Sequence, residues 1–299
     1  MIFVLVFQCK DFEEAESVLL QDLIVMNDYY TSWRLKLNPS KTEVSAFHLN
    51  NNLANKKLKI IFEGVELTHN PFPKYLGVTL DRILTFKEHL TKICKKLNSR
   101  INIVQKLAGV SWGANASVLK TSSMNLVYTT AEFCAPVWRN SCHSKLIDVK
   151  INHTMRIISG TIKSTPTVWL PVLCNIAPPE LRRNQATAKL LFKIKSNQNS
   201  SLYLELLDLP VNRLRSRHPI WNDFQELEKF NLIDKWREKW FSEKVCNYEL
   251  IIDPTVIVGG FSLERREWSL LNRLRTGFGC CNDYLNKCKF IMIISYKRT

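Results

Sequence analysis

Several chemistries are missing from this 299-residue sequence. It has no GxSxG elbow, no P-loop, no HExxH pair and no Rossmann glycine fingerprint. The hydrolase, NTPase, zinc-protease and dinucleotide readings therefore have nothing to rest on. No internal repeat and no low-complexity tract occurs, which excludes solenoids and repeat arrays. The six histidines (His48, His69, His89, His143, His153 and His218) form no set with metal-ligand spacing. The apolar start at residues 1–7 (MIFVLVF) is too short to span a bilayer. It also lacks a basic leader and a cleavage site, so a buried strand is expected there rather than a secretory signal. These absences point to an intracellular protein of the cytoplasm or nucleus that does not enter a membrane.

Acidic residues are scarce: 27 Asp and Glu face 42 Lys and Arg, a net charge of +15. Such an excess favours partners with dense negative charge, nucleic acid first and acidic membrane second. It is silent on fold. Apolar residues make up 45 % of the chain, enough for a sizeable core in one large domain or two small ones. The nine cysteines are odd in number and scattered, and read mostly as reduced, partly buried thiols.

The clearest helix spans residues 11–34, where Phe12, Ala15, Val18, Leu19, Leu23, Met26, Tyr29 and Trp33 form one apolar stripe. Asp11 sits at the N-cap position, with Glu14 placed to complete a capping box. Asn38-Pro39-Ser40 breaks the helical register. Strands are then expected at 42–49, 58–62, 65–67 and 74–80, with Glu63-Gly64 as a hairpin turn and Leu76, Val78 and Leu80 on one face of the last. Together they predict a small antiparallel sheet. A second apolar stripe follows, from Phe86 through Leu90, Ile93, Leu97, Ile101 and Val104 to Leu107, ended by Gly109. Further helices are expected near 116–134, 144–159, 179–197 and 223–244, with Pro178-Pro179 opening the third of these. Residues 197–201 and 210–219 read as loops. The fold class is α+β and mostly helical.

Four stretches carry a family resemblance in their order along the chain: 32–44 (SWRLKLNPSKTEV), 73–81 (PKYLGVTLD), 176–183 (IAPPELRR) and 265–277 (RREWSLLNRLRTG). They resemble the reverse transcriptase, an RNA-directed DNA polymerase, of jockey-type non-LTR retrotransposons, downstream of its active-site hairpin. The resemblance implies the closing part of a right-hand palm at 1–81, a helical thumb-like region at 82–170, a helix and linker at 171–222, and a basic helical region at 223–299. In that family two adjacent aspartates hold Mg²⁺ ions for nucleotidyl transfer. Counted back from Asp11, they would fall at about Met1 and Ile2 or earlier, and this sequence has no Asp before Asp11. The chain is therefore expected to hold no Mg²⁺ and to lack polymerase activity alone. Lys41 matches the lysine that in the family lies near the incoming triphosphate, and is expected to be a relic. Tyr75, Leu76 and Gly77 match a strand motif that supports the primer end.

Candidate nucleic-acid contacts follow from charge and from the thumb resemblance, with RNA or DNA as partner. They are Lys92, Lys95, Lys96 and Arg100 on the second helix, Arg182 and Arg183 after the paired prolines, and Arg265, Arg266, Arg273 and Arg275 near the end. For each a structural alternative exists: a solvated lysine face, a cap or surface pair, or packing of an amphipathic helix. Cys280, Cys281 and Cys288 are not expected to hold zinc, because adjacent cysteines fit a tetrahedral site poorly and no His follows. The alternative function is a domesticated interaction protein that binds RNA, DNA or a protein partner.

Overall fold

The computed structural model describes residues 4–109, 112–199, 201–207 and 224–279, and among these helices dominate while strands are two residues long. The α+β, mostly helical expectation holds. The chain divides into two units, Met1–His89 and Leu90–Thr299.

In the first unit, helix α1 (Phe12–Ser32) starts where the capping signal places it: Asp11 Oδ1 accepts the Glu14 N–H at 2.8 Å. A cap of this kind contributes about 1 kcal/mol. Leu23 and the partly buried Phe12, Ala15, Leu19 and Leu20 pack on Val44, Leu58, Ile60, Phe62 and Leu67. The far end of the predicted stripe turns differently. Tyr30 is buried, whereas Tyr29 is 58 % and Trp33 66 % exposed. Phe12, Leu19, Leu23 and Tyr30 follow one another at spacings of seven and four, a single line on the helix. Tyr29 lies about 100° from that line. Residues 4–7 are exposed and unpaired with any strand among the described residues, so the buried strand expected at the start is not found there.

The expected antiparallel sheet is also corrected. Three separate pairs replace it. Strand β1 (Glu43–Val44) pairs with β4 (Thr68–His69), and this pair is parallel. Strands β2 (Ile61–Phe62) and β3 (Val65–Glu66) form the hairpin expected at Glu63-Gly64, whose φ values are +51° and +76°. The segment read as one strand at 74–80 is a second hairpin, β5 (Lys74–Tyr75) against β6 (Val78–Thr79). Its turn residues Leu76 and Gly77 have φ of +44° and +90°. Two consecutive positive φ values give the twist a two-residue hairpin needs. Leu76 is thereby thrown outward, 69 % exposed, while Val78 is buried.

Helix α2 (Lys87–Leu107) starts in the first unit and continues into the second. Asp81 prepares its entry by accepting the Thr85 N–H at 2.6 Å and the Thr85 hydroxyl at 2.7 Å. Thr79 of β6 donates its N–H to His89 Nδ1 at 3.2 Å. Leu90, Ile93, Leu97, Ile101 and Val104 are buried as the stripe predicts.

The second unit is helical. The expected helix at 116–134 is α3 (Ala116–Ser123) and α4 (Thr129–Ala131) joined by a π turn at Met124–Tyr128. A left-handed Cys134 then separates it from α5 (Ala135–Trp138). Helices α6 (Lys145–Ser159) and α8 (Pro179–Ser196) match expectation, and between them lies an unpredicted helix, α7 (Trp169–Cys174). All six α7 residues are buried, so its sequence shows no polar face and no 3.6-residue period. Helix α9 (Ser201–Leu207) follows. The helix expected at 223–244 is two, α10 (Phe224–Glu228) and α11 (Leu232–Ser242), because Asn231 Oδ1 caps the second by accepting the Ile233 N–H at 3.0 Å. The last described helix is α12 (Arg265–Thr276). The core gathers Trp169, Val172 and Leu173 of α7 with Trp240, Ile251, Val258 and Trp268. The Trp169 and Trp240 rings meet edge to face at 5.0 Å, a contact worth about 0.5–1.5 kcal/mol beyond burial.

Candidate nucleic-acid interface

Lys92, Lys95 and Lys96 project into solvent from α2, away from its buried stripe. Arg100, on the same helix, does not. Its Nη1 donates to the Leu126 carbonyl at 2.7 Å. Leu126 lies in the π turn, where the widened hydrogen-bond pattern makes carbonyls available to side chains.

The paired arginines of α8 face inward. Arg182 forks onto Glu132 at 2.5 and 2.7 Å, with its guanidinium 5.1 Å from the Tyr128 ring centroid. Arg183 grips Asp148 of α6 at 2.5 and 3.1 Å beside the Trp138 ring, and is 5 % exposed. Neither is a helix cap nor a surface pair. Planar, two-point pairing is the geometry at which guanidinium excels. Glu132 and Asp148 were not foreseeable as partners, because each lies tens of residues upstream.

Helix α12 closes the end of α6. The last carbonyls of a helix have no partner within it. Here Arg265 donates Nη1 to Ile158 O at 2.8 Å and Nη2 to Ile157 O. Trp268 Nε1 also reaches Ile158 O at 3.0 Å, Asn272 Nδ2 reaches Ser159 O at 2.8 Å, and Arg273 Nε reaches Gly160 O at 3.2 Å. Burial pulls the Arg265 guanidinium pKa down, and its charge still lies where the helix dipole is negative. Arg275 donates to Gly259 O at 2.6 Å and to Asn272 Oδ1 at 3.2 Å. Arg266 stands exposed. The basic side expected of this helix is thus mostly turned to backbone carbonyls.

In the first unit, Lys41 ends a 3₁₀ turn, Pro39–Lys41, closed by Lys41 N–H to Asn38 O and Thr42 N–H to Pro39 O, each at 3.1 Å. Lys41 and Tyr75 both line a groove of about 1120 Å³, with Lys36, Leu23 and Val44 also on its walls. Leu76 and Gly77 form the turn beyond Tyr75.

Among the described residues no three His, Cys, Asp or Glu side chains come together in a way that could hold a metal ion. Cys280, Cys281 and Cys288 lie outside the described residues, as do His218 and the loop expected at 210–219. The described cysteines are free thiols. Burial raises the pKa of Cys94, Cys134 and Cys174, which keeps them protonated and unreactive. No described helix is long and apolar enough to cross a membrane.

No family model and no solved structure matches the chain. Curated proteins do. It is 28 % identical over 199 residues to "Probable RNA-directed DNA polymerase from transposon X-element" of Drosophila melanogaster, covering 64 % of this chain and 19 % of that protein. It is 32 % identical over 126 residues to "Probable RNA-directed DNA polymerase from transposon BS" of the same organism, covering 42 % and 13 %. It is 31 % identical over 88 residues to "RNA-directed DNA polymerase from mobile element jockey" of Drosophila funebris, covering 29 % and 9 %. The resemblance to polymerases of non-LTR retrotransposons, jockey included, is borne out. The chain spans less than a fifth of the length of these relatives.

Proposed function

We propose that this chain is a piece of a non-LTR retrotransposon reverse transcriptase that binds RNA or DNA and does not polymerise by itself. On this reading the first unit is the closing part of a palm and the second a thumb-like body. The observation that carries the binding reading is the division of labour among its cations. The arginines of the recognisable motifs, Arg182, Arg183 and Arg265, hold the helices to one another, and Lys95 and Lys96 stand outside in a chain of net charge +15. Exposed lysines act as mobile point charges suited to a phosphate backbone rather than to base edges.

The absence of polymerisation rests on carboxylates. No two aspartates are adjacent anywhere in the 299 residues, and the described carboxylates do not gather into a metal-holding group. The residues present do not fit the family's Mg²⁺ pair, so no step is routed through it. Two measurements test the reading. Filter binding should show affinity for an RNA or DNA duplex that falls steeply with salt, with a log–log slope of about −2 to −3 for roughly three phosphates engaged. Flat salt dependence would sink the binding half. Primer extension by the purified chain should stay at background, and template-dependent synthesis would sink the other half.

A further inference from the structure

Among the described tryptophans Trp112, like Trp33 of the first unit, lies outside the core. Trp138, Trp169, Trp240 and Trp268 are fully buried, whereas Trp112 is 73 % exposed. It is also held in place. A Cβ added at Gly109 would stand 2.6 Å from Trp112 Cε2 and 2.8 Å from its Nε1, so the indole rests directly on the glycine backbone. The loop beneath is closed by Gly113 N–H to Gly109 O and Ala114 N–H to Leu107 O, each at 2.9 Å. A Cβ on Gly113 would lie 2.1 Å from Gly109 O, so that close approach requires glycine. The ring is therefore seated on one side and left largely open to solvent.

The surroundings are cationic. Between Glu88 and Glu132 the sequence contains no Asp or Glu, and while Arg100 and Lys120 turn to backbone carbonyls, Lys95, Lys96 and Lys106 are exposed on α2. On α2 the exposed residues Lys95, Ser99, Asn102 and Lys106 recur at spacings of four, three and four, which makes one ridge that runs towards the Trp112 loop. From Lys95 to Lys106 it is about 16 Å long. The helix that carries this ridge leads, three residues after Lys106, to Gly109, the glycine on which the open indole rests, so the two parts of a single-strand site adjoin along the chain: a track for phosphates and a π face for a base.

We propose that Trp112 is a stacking platform for an unpaired base of a nucleic-acid strand whose backbone follows this ridge. The proposal rests on the nucleic-acid reading above and adds to it a residue and a strand type. It is tested with the full chain by fluorescence anisotropy on two labelled probes, a 20-nucleotide oligo-dT and an abasic strand with the same backbone. Wild type should prefer oligo-dT. Trp112→Ala should weaken oligo-dT binding about 5- to 100-fold and leave both the abasic affinity and the salt slope unchanged. Trp112→Phe should keep most of the affinity. Trp112→Lys, which adds a cation but no π face, should bind oligo-dT more weakly than wild type. Lys95→Gln with Lys106→Gln should instead lower the salt slope on both probes.

Equal oligo-dT binding by wild type, W112A and W112K would overturn the platform and leave the phosphate-binding reading intact. Equal losses on both probes would overturn it too, as would a dimer in sedimentation that W112A dissolves, since the indole would then be a self-association contact. Wild type that binds the duplex but neither probe would overturn the platform alone, and wild type that binds neither probe nor the duplex would end both readings.

Discussion

Gly160 and Ser269 are pressed together: a Cβ on Gly160 would stand 2.0 Å from Ser269 Oγ and 2.6 Å from its Cβ. Gly160 is also the left-handed C-cap of α6, with φ of +68°. Both conditions exclude any side chain. Gly160→Ala should therefore destabilise the second unit by roughly 2–4 kcal/mol, seen as an earlier urea midpoint. An unchanged midpoint would mean that α6 and α12 do not approach this closely.

Arg265 should behave as a structural residue. Arg265→Lys keeps the charge and removes the fork that reaches two carbonyls, and each charged hydrogen bond of this type is worth about 1.5–3 kcal/mol. A lower thermal midpoint is expected, with nucleic-acid affinity of the folded fraction unaltered. Replacing Lys95 and Lys96 by Gln should do the reverse. If R265K instead weakened binding at full stability, Arg265 would have to face the nucleic acid.

The hairpin turn at Leu76-Gly77 holds a leucine at φ of +44°, a conformation that asparagine tolerates far better. Leu76→Asn should stabilise the first unit by about 0.5–1 kcal/mol, and Gly77→Ala should destabilise it by about 1–2 kcal/mol. Hydrogen exchange of the Leu80 N–H, which bonds Pro73 O at 2.9 Å, reports both changes. Slower exchange in the alanine variant would contradict the turn.

Three histidines make the fold acid-sensitive. Burial lowers the pKa of His48, helped by Arg82, of His69, helped by Lys57, and of His153, helped by Lys150 and Arg156. The unfolded chain then takes up protons first as pH falls through the unperturbed value of 6.5. Stability from these sites is full above that value and declines as pH drops towards the folded pKa values. Urea midpoints at pH 7.5 should exceed those at pH 5.5, and the gap should shrink in His48→Gln and His153→Gln.

Periodicity made α1, α2, α6 and α8 legible, because each buries one face and exposes the other. It failed at α7, where every residue is buried, and at 74–80, where alternation continues through a turn that only the backbone angles betray. The basic residues show the same limit. The sequence identifies Arg182 and Arg183 as a pair but not Glu132 and Asp148, their partners across the fold. Arg265 did carry a signal: it shares a helical face with Trp268 and Asn272, at spacings of three and four, and that face is the buried one. Trp112 was visible only as one of eight tryptophans, since exposure is not written in residue type.

The staple between α12 and α6 also sets an order of events. Ile158 precedes Arg265 by 107 residues. At about 5–20 residues per second, a ribosome needs roughly 5–20 s to travel from one to the other. Throughout that interval the end of α6 has only water for its carbonyls, and the Trp268 site in the core stands empty. The second unit must therefore complete its folding late in synthesis, and any chain released before residue 265 leaves that helix end without its staple.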